Sequence, residues 1–230
     1  MKKTFPIFGI LTAILLSCAL YQALVVAPTE QTMGEVQRIF YYHVTSAWTA
    51  FILFTINFVA SLVYLIRRNP AADMVALVSA EVGIVFCTIV LVTGPIWARP
   101  VWGIWWTWDM RLTSTLVLWL IYVSYLVLRR FSSSGETPLL AATLAIFGAL
   151  CVPFVYFSIW FFRTQHPQPV IGGGGSIDPR MMHVLLINWL AFSCFAFLIC
   201  WSRYRLEKLQ REVEQAQAME SLTQSSRSPR

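Results

Sequence analysis

The chain has 230 residues, 57% of them hydrophobic and 12% charged, with a mean hydropathy of +0.64. A soluble domain carries roughly 25% charged residues, so the composition excludes one and points to an integral membrane protein. The net charge of +6 is a matter of topology, as its distribution below indicates, and gives no reason to expect a nucleic-acid partner.

Six apolar stretches approach the roughly 20 residues a helix needs to cross hydrocarbon. They lie at about 5–27, 43–66, 75–94, 113–130, 139–160 and 182–202. Unpaired backbone cannot face lipid. The expected fold is therefore all-α: a bundle of six transmembrane helices over residues 1–205, followed by a cytoplasmic helical extension and a disordered tail at 206–230. The first stretch follows Lys2 and Lys3 as a signal peptide would. It is too long for an ordinary signal core and has no clean small-x-small cleavage site, so it reads as a spanning helix.

In chain order, residues 28–42 form the first outer connection, where Met33, Val36, Ile39 and Phe40 suggest a short amphipathic helix in the interface. Arg67 to Asp73 make a tight basic inner turn. Glu81 is the one carboxylate inside a spanning segment, with a neighbour such as Asn57, or a partner subunit, as its expected hydrogen-bond partner. Residues 95–112 form a Trp-rich outer connection, and Arg129 to Pro138 a polar inner one. The last outer connection, about 161–181, holds Arg163, His166 and the run Gly172 to Gly175. Those glycines lack the following Gly-Lys-Ser/Thr of a phosphate loop and read as a flexible segment. Beyond residue 202, Leu206, Leu209 and Val213 keep an apolar stripe, and Glu207/Arg211 and Lys208/Glu212 are i,i+4 pairs.

With the N-terminus inside, twelve of the seventeen Lys and Arg fall on the inner side, leaving Arg38, Arg99, Arg111, Arg163 and Arg180 outside. The positive-inside rule supports this N-in/C-in orientation. The five cysteines all lie within predicted helices, without a CxxC or CxxCH motif. They read as small buried hydrophobes, and no covalent haem attachment is indicated.

Five of the ten tryptophans fall between Trp97 and Trp108. Spanning proteins usually place Trp singly at helix ends. Five together, edged by Arg99, Asp109 and Arg111, suit a flat apolar ligand with anionic groups. All three histidines, His43, His166 and His183, fall on the same outer side. His43 opens helix 2 and His183 opens helix 6, a placement that suits either two polar residues at the membrane interface or two imidazoles able to bind iron from opposite faces of a porphyrin. Trp105, Trp106 and Trp108 would stack on the ring, and Arg99, Arg111 and Arg180 are candidates to pair with its propionates. His166, in a Gln-His-Pro loop, reads as an ordinary loop residue. Asp109 also suits the N-cap of helix 4.

The run Trp102-Gly-Ile-Trp105-Trp106-Thr-Trp108-Asp109-Met-Arg111 resembles the WWD signature of the haem-handling proteins of cytochrome c biogenesis. With six helices and flanking histidines, nearly the whole chain to about residue 205 is similar to the haem exporter protein C family, CcmC. Ile104 stands where that pattern has Thr. The resemblance implies that haem b is held at the outer face of the bacterial inner membrane and passed to a periplasmic haem chaperone of the CcmE kind. It implies a carrier, not an enzyme, with His43 and His183 as iron ligands and Trp102, Trp105, Trp106, Trp108 and Asp109 as the haem platform. Implied partners are a small CcmD-like membrane subunit and CcmA- and CcmB-like ATPase and permease subunits. The alternatives are a membrane b-type cytochrome and a permease subunit of a haem exporter. The first lacks a histidine at the inner side to carry a second haem across a core of ~30 Å. The second must draw its energy from a partner, since nothing in the sequence binds nucleotide.

Overall fold

The computed structural model describes residues 4–132, 136–169 and 177–227. Helix α1, Thr4–Tyr21, runs into a π-turn at Gln22–Val26, and a 3-10 turn, Glu35–Arg38, leads directly into α2, Ile39–Arg67. Then come α3, Pro70–Trp102, α4, Met110–Phe131, α5, Thr137–Phe161, and α6, Pro179–Arg227. All six are long and apolar enough to cross a membrane. Among the described residues, the expected six-helix, all-α architecture is therefore present.

Helix ends follow local chemistry. Arg68, at φ 52°, closes α2 in the left-handed region, its N–H bonded to Tyr64 O. Asn69 caps α3 by accepting from Ala71 N, with Pro70 at the first helical position, where its missing N–H costs nothing. Gly103, at φ 78°, ends α3 through its N–H to Arg99 O, a conformation that disfavours any side chain. Asp109 then caps α4 by accepting from Leu112 N at 3.0 Å.

These caps revise the expected Trp-rich connection. Trp97 and Trp102 belong to α3, which continues through Pro95 and Pro100. The connection itself spans only residues 103–109 and carries Trp105, Trp106 and Trp108. The amphipathic helix expected over 28–42 does not form as a separate element: Val36, Ile39 and Phe40 are helical, but in the 3-10 turn Glu35–Arg38 and the first turn of α2. Residues 30–34 make a tight turn closed by a Glu30–Gly34 bridge, and residues 39–42 are already α2.

The core is the seam between α2 and α3, closed by α4 and α5. Phe54 stacks on Tyr122 with ring centroids 3.9 Å apart. A Cβ on Gly83 would stand 2.7 Å from Phe54 Cε1, so α3 approaches α2 this closely because it carries no side chain there. Buried polar groups cross-link the helices. Asn57 Nδ2 donates to Ala76 O at 2.7 Å, and Tyr122 OH donates to Asn57 Oδ1 at 3.3 Å. Helix α1 lies on α6 through edge-to-face Phe5–Trp201 and Phe8–Phe197 pairs.

Charges gather at the end opposite the histidines. Asp73 accepts two bonds from Arg129, at 2.6 and 2.8 Å, and a third from Arg211 at 2.8 Å. Glu81 pairs with Arg203 through two 2.9 Å bonds, in place of the expected Asn57. Arg211 also bonds Glu207 at 2.8 Å, and Lys208 lies 3.8 Å from Glu212, so both expected i,i+4 pairs are present. Helix α6 continues through Arg227, taking in residues expected to be a disordered tail. The Gly172–Gly175 run lies outside the described residues.

Candidate functional site

At the end where α2, α4 and α6 begin, a cavity of about 900 Å³ opens between helices, near the top of the range for small-molecule sites. Its apolar wall includes Phe40, Phe51, Trp97, Trp102 and Trp106. A second cavity of about 510 Å³ adjoins it, and the two share His43, His166, Arg111 and Trp97.

His43 is buried, one turn into α2. Its Nδ1 lies 2.9 Å from Thr93 Oγ1 on α3, and its ring meets Trp97 edge-on at 5.8 Å. His166 sits on the connection after α5, with its ring centroid 6.4 Å from that of His43. His166 Nδ1 donates to Pro167 O at 2.9 Å. A carbonyl only accepts, so Nδ1 carries the proton and Nε2 keeps a free lone pair. Burial, and then the nearby Arg111 charge, push the His166 pKa down to about 4. The ring is therefore neutral at pH 7, the form that binds metal. Because its folded pKa lies below the unfolded value, this group costs stability as pH falls from about 6.5 toward 4.

The His166 loop is tied to the Trp-rich connection through Asp109. Thr164 Oγ1 accepts the His166 backbone N–H at 3.1 Å and donates to Asp109 Oδ2 at 2.8 Å. Thr107 donates to the same oxygen at 2.9 Å. Burial acts to raise the Asp109 pKa, but these hydrogen bonds and the Leu112 N–H outweigh it and hold the carboxyl below its ordinary value. Asp109 lines neither cavity. It caps α4 and positions the loop that carries His166.

Arg111 is anchored by Nη1, which donates to Val155 O at 2.7 Å and Tyr156 O at 3.0 Å. Its guanidinium is a cation fixed at the wall common to both cavities. Arg180 lines the larger cavity, is exposed and holds Asp178 through bonds of 3.2 and 2.8 Å. Arg99 is exposed, donates to Gly103 O and lines neither cavity.

The remaining expectations divide. Trp102 and Trp106 line the larger cavity, whereas Trp105 and Trp108 are 59% and 77% exposed and line neither. His183 does not meet His43. Met181, Val184, Leu185 and Asn188 are the buried face of α6. At 3.6 residues per turn, His183 lies about 150° around the helix from that face, and it is exposed. The sequence showed its depth but not its rotation, because the first turns of α6 are apolar on nearly every side. Thr93 and Thr164 were missed for another reason: their partners lie 50 and 55 residues away. The site thus offers two imidazoles with ring centroids 6.4 Å apart, three indoles along one apolar cavity and a fixed guanidinium. It suits a flat, apolar, metal-bearing ligand with an anionic edge.

The family described as heme exporter protein C matches residues 1–219. A heme exporter protein C of Bradyrhizobium diazoefficiens is 34% identical over 222 residues, covering 95% of this chain and 84% of that protein. The heme exporter protein C of Escherichia coli K12 is 33% identical, covering 80% and 73%. A cytochrome c biosynthesis ccmC-like mitochondrial protein of Marchantia polymorpha is 33% identical, covering 80% and 78%. On the match along nearly its whole length and on these relatives, the chain belongs to the heme exporter protein C family.

Proposed function

We propose that this protein binds haem b at the outer face of a bacterial inner membrane and passes it to a periplasmic haem chaperone during cytochrome c maturation. In this reading it works beside a small membrane subunit and the ATPase and permease subunits of an exporter. The observation that carries the reading is the 6.4 Å spacing of the His43 and His166 rings. An iron at roughly 2 Å from each imidazole nitrogen, as in other metal–imidazole bonds, separates the two ring centroids by about 6 Å. In this reading His43 and His166 would hold the haem iron, and His183 would take no part. Trp97, Trp102 and Trp106 wall the macrocycle, and Arg111 pairs with a propionate, with Arg180 as a second cation at the rim. All three histidines belong to one end of the bundle, which favours a carrier over an electron relay through the membrane.

The purified full-length protein, supplied with haem, should show the spectrum of a six-coordinate bis-imidazole b haem. A preparation that takes up no haem would remove the reading.

Orientation has its own test. Reporter fusions at residues 35 and 105 should read as external, and an internal reading at 105 would separate the site from the chaperone's compartment.

Exposure divides the tryptophans by role. Trp102→Ala or Trp106→Ala removes cavity wall, and each should weaken haem retention about tenfold, in line with the roughly 0.5–1.5 kcal/mol of aromatic packing beyond area burial. Trp105→Ala and Trp108→Ala should leave retention within about twofold of the parent and instead slow transfer to the chaperone, since exposed Trp is typical of contact surfaces. Equal loss of retention at Trp106 and Trp108 would undo this division.

A further inference from the structure

We propose that Thr93 is a positioning residue for His43: it fixes the tautomer that leaves Nε2 free for iron and makes the imidazole a more basic ligand. The inference rests on the haem-binding reading above.

A threonine hydroxyl has one proton to give. Thr93 Oγ1 gives it to Ile89 O, 2.6 Å away and one turn back on α3, with Val90 O a more distant neighbour at 3.4 Å. What Thr93 has left to offer His43 is a lone pair. The 2.9 Å contact is therefore closed by His43 Nδ1–H donating to Thr93 Oγ1. Neutral imidazole carries one ring proton, so Nε2 is the unprotonated nitrogen.

The same helix repeats the device at Thr88. That hydroxyl donates to Ile84 O at 2.8 Å and accepts from Trp119 Nε1 at 2.9 Å. An indole N–H can only donate, so a back-bonded threonine on α3 does serve as an acceptor. Residues 88 and 93 thus share one local geometry. Thr88 uses it to pack a tryptophan and Thr93 to orient a histidine.

An acceptor on the far nitrogen sets ring orientation and raises ligand basicity, and loss of such a partner typically costs 10- to 100-fold in metal affinity. It also lends the ring partial anionic character, which favours ferric over ferrous iron. His166 has its own acceptor in Pro167 O, a backbone group that substitution cannot remove. Thr93 is the member of this arrangement that mutation can reach.

The test uses the full-length protein loaded with haem, comparing the parent with Thr93→Val, Thr93→Ser and Thr88→Val. Haem loss to an apo-globin acceptor and the midpoint potential are both followed by absorbance. Thr93→Val keeps the side-chain shape and removes the hydroxyl. It should release haem 10- to 100-fold faster and shift the midpoint positive. Thr93→Ser should return both readings to within about twofold of the parent. Thr88→Val should leave the potential unchanged, whatever it does to thermal stability. If Thr93→Val does not fold, Thr93→Ala makes the same comparison without added bulk.

The inference is overturned if Thr93→Val keeps parental release and potential while the parent shows bis-imidazole haem. It is also overturned if Thr88→Val shifts the potential equally, because the effect would then come from helix packing. A parent that takes up no haem would refute the functional reading first, and this inference with it.

Discussion

Replacing His43 or His166 by alanine is expected to reduce haem retention by ~100-fold or more, beyond the 10- to 100-fold typical of losing an outer-shell partner. Replacing His183 is expected to change retention by less than twofold. The contrast follows from helical phase. His43 and His166 lie together at a 6.4 Å ring separation, whereas His183 is exposed, away from the packed face of α6. Each single mutant of the pair keeps one imidazole, and imidazole added to the buffer should occupy the opened iron position and restore part of the bis-imidazole spectrum. The measurement is haem absorbance per protein after detergent washing, with and without imidazole. Loss of haem in His183→Ala with retention in His166→Ala would reverse the assignment.

The second large effect lies at the opposite end of the bundle and should leave haem untouched. Asp73→Asn keeps the side-chain volume but leaves Arg129 and Arg211 without their carboxylate. The side chains of Asp73 and Arg129 are only 4% and 9% exposed, so little water is available to compensate. Breaking a buried pair from one side typically costs about 3–5 kcal/mol. The variant should unfold at a clearly lower temperature in detergent, and the α6 extension should become protease-sensitive beyond Arg203 because Arg211 loses its anchor. A compensated pair, Asp73→Leu with Arg129→Met, should recover the part of the stability lost at Arg129, since well-packed apolar replacements of buried ion pairs are often neutral, while Arg211 stays without its Asp73 anchor. Equal stability of Asp73→Asn and the parent would show that the three-residue cluster contributes nothing net. Haem spectra should be unchanged in every variant, because the cluster and the imidazoles are at opposite ends of the bundle.

These two ends also show how far a sequence can be read. Hydropathy alone determined six spanning helices, because an apolar run of membrane length has few other folds available in lipid. The Trp-rich run pointed to the family, which the comparisons show, and to the ligand class proposed here, since its residue types describe an aromatic surface wherever each ring points. Asp109 was legible as a cap because capping is a contact within four residues. What the tertiary structure alone decided was rotation and long-range pairing. Hydropathy sets the depth of His43 and His183 in the membrane but not the direction each faces, and in a helix apolar on most sides no amphipathic pattern reveals the inward stripe. The same holds for Trp106 and Trp108, two residues apart, one in the cavity wall and the other exposed. The partners Asp73–Arg129, Glu81–Arg203, His43–Thr93 and His43–His166 are separated by 56, 122, 50 and 123 residues. Such pairs exist only once the helices have chosen their neighbours. Packing makes that choice, as at Gly83, where a missing side chain lets α3 approach α2 closely enough to seat Phe54.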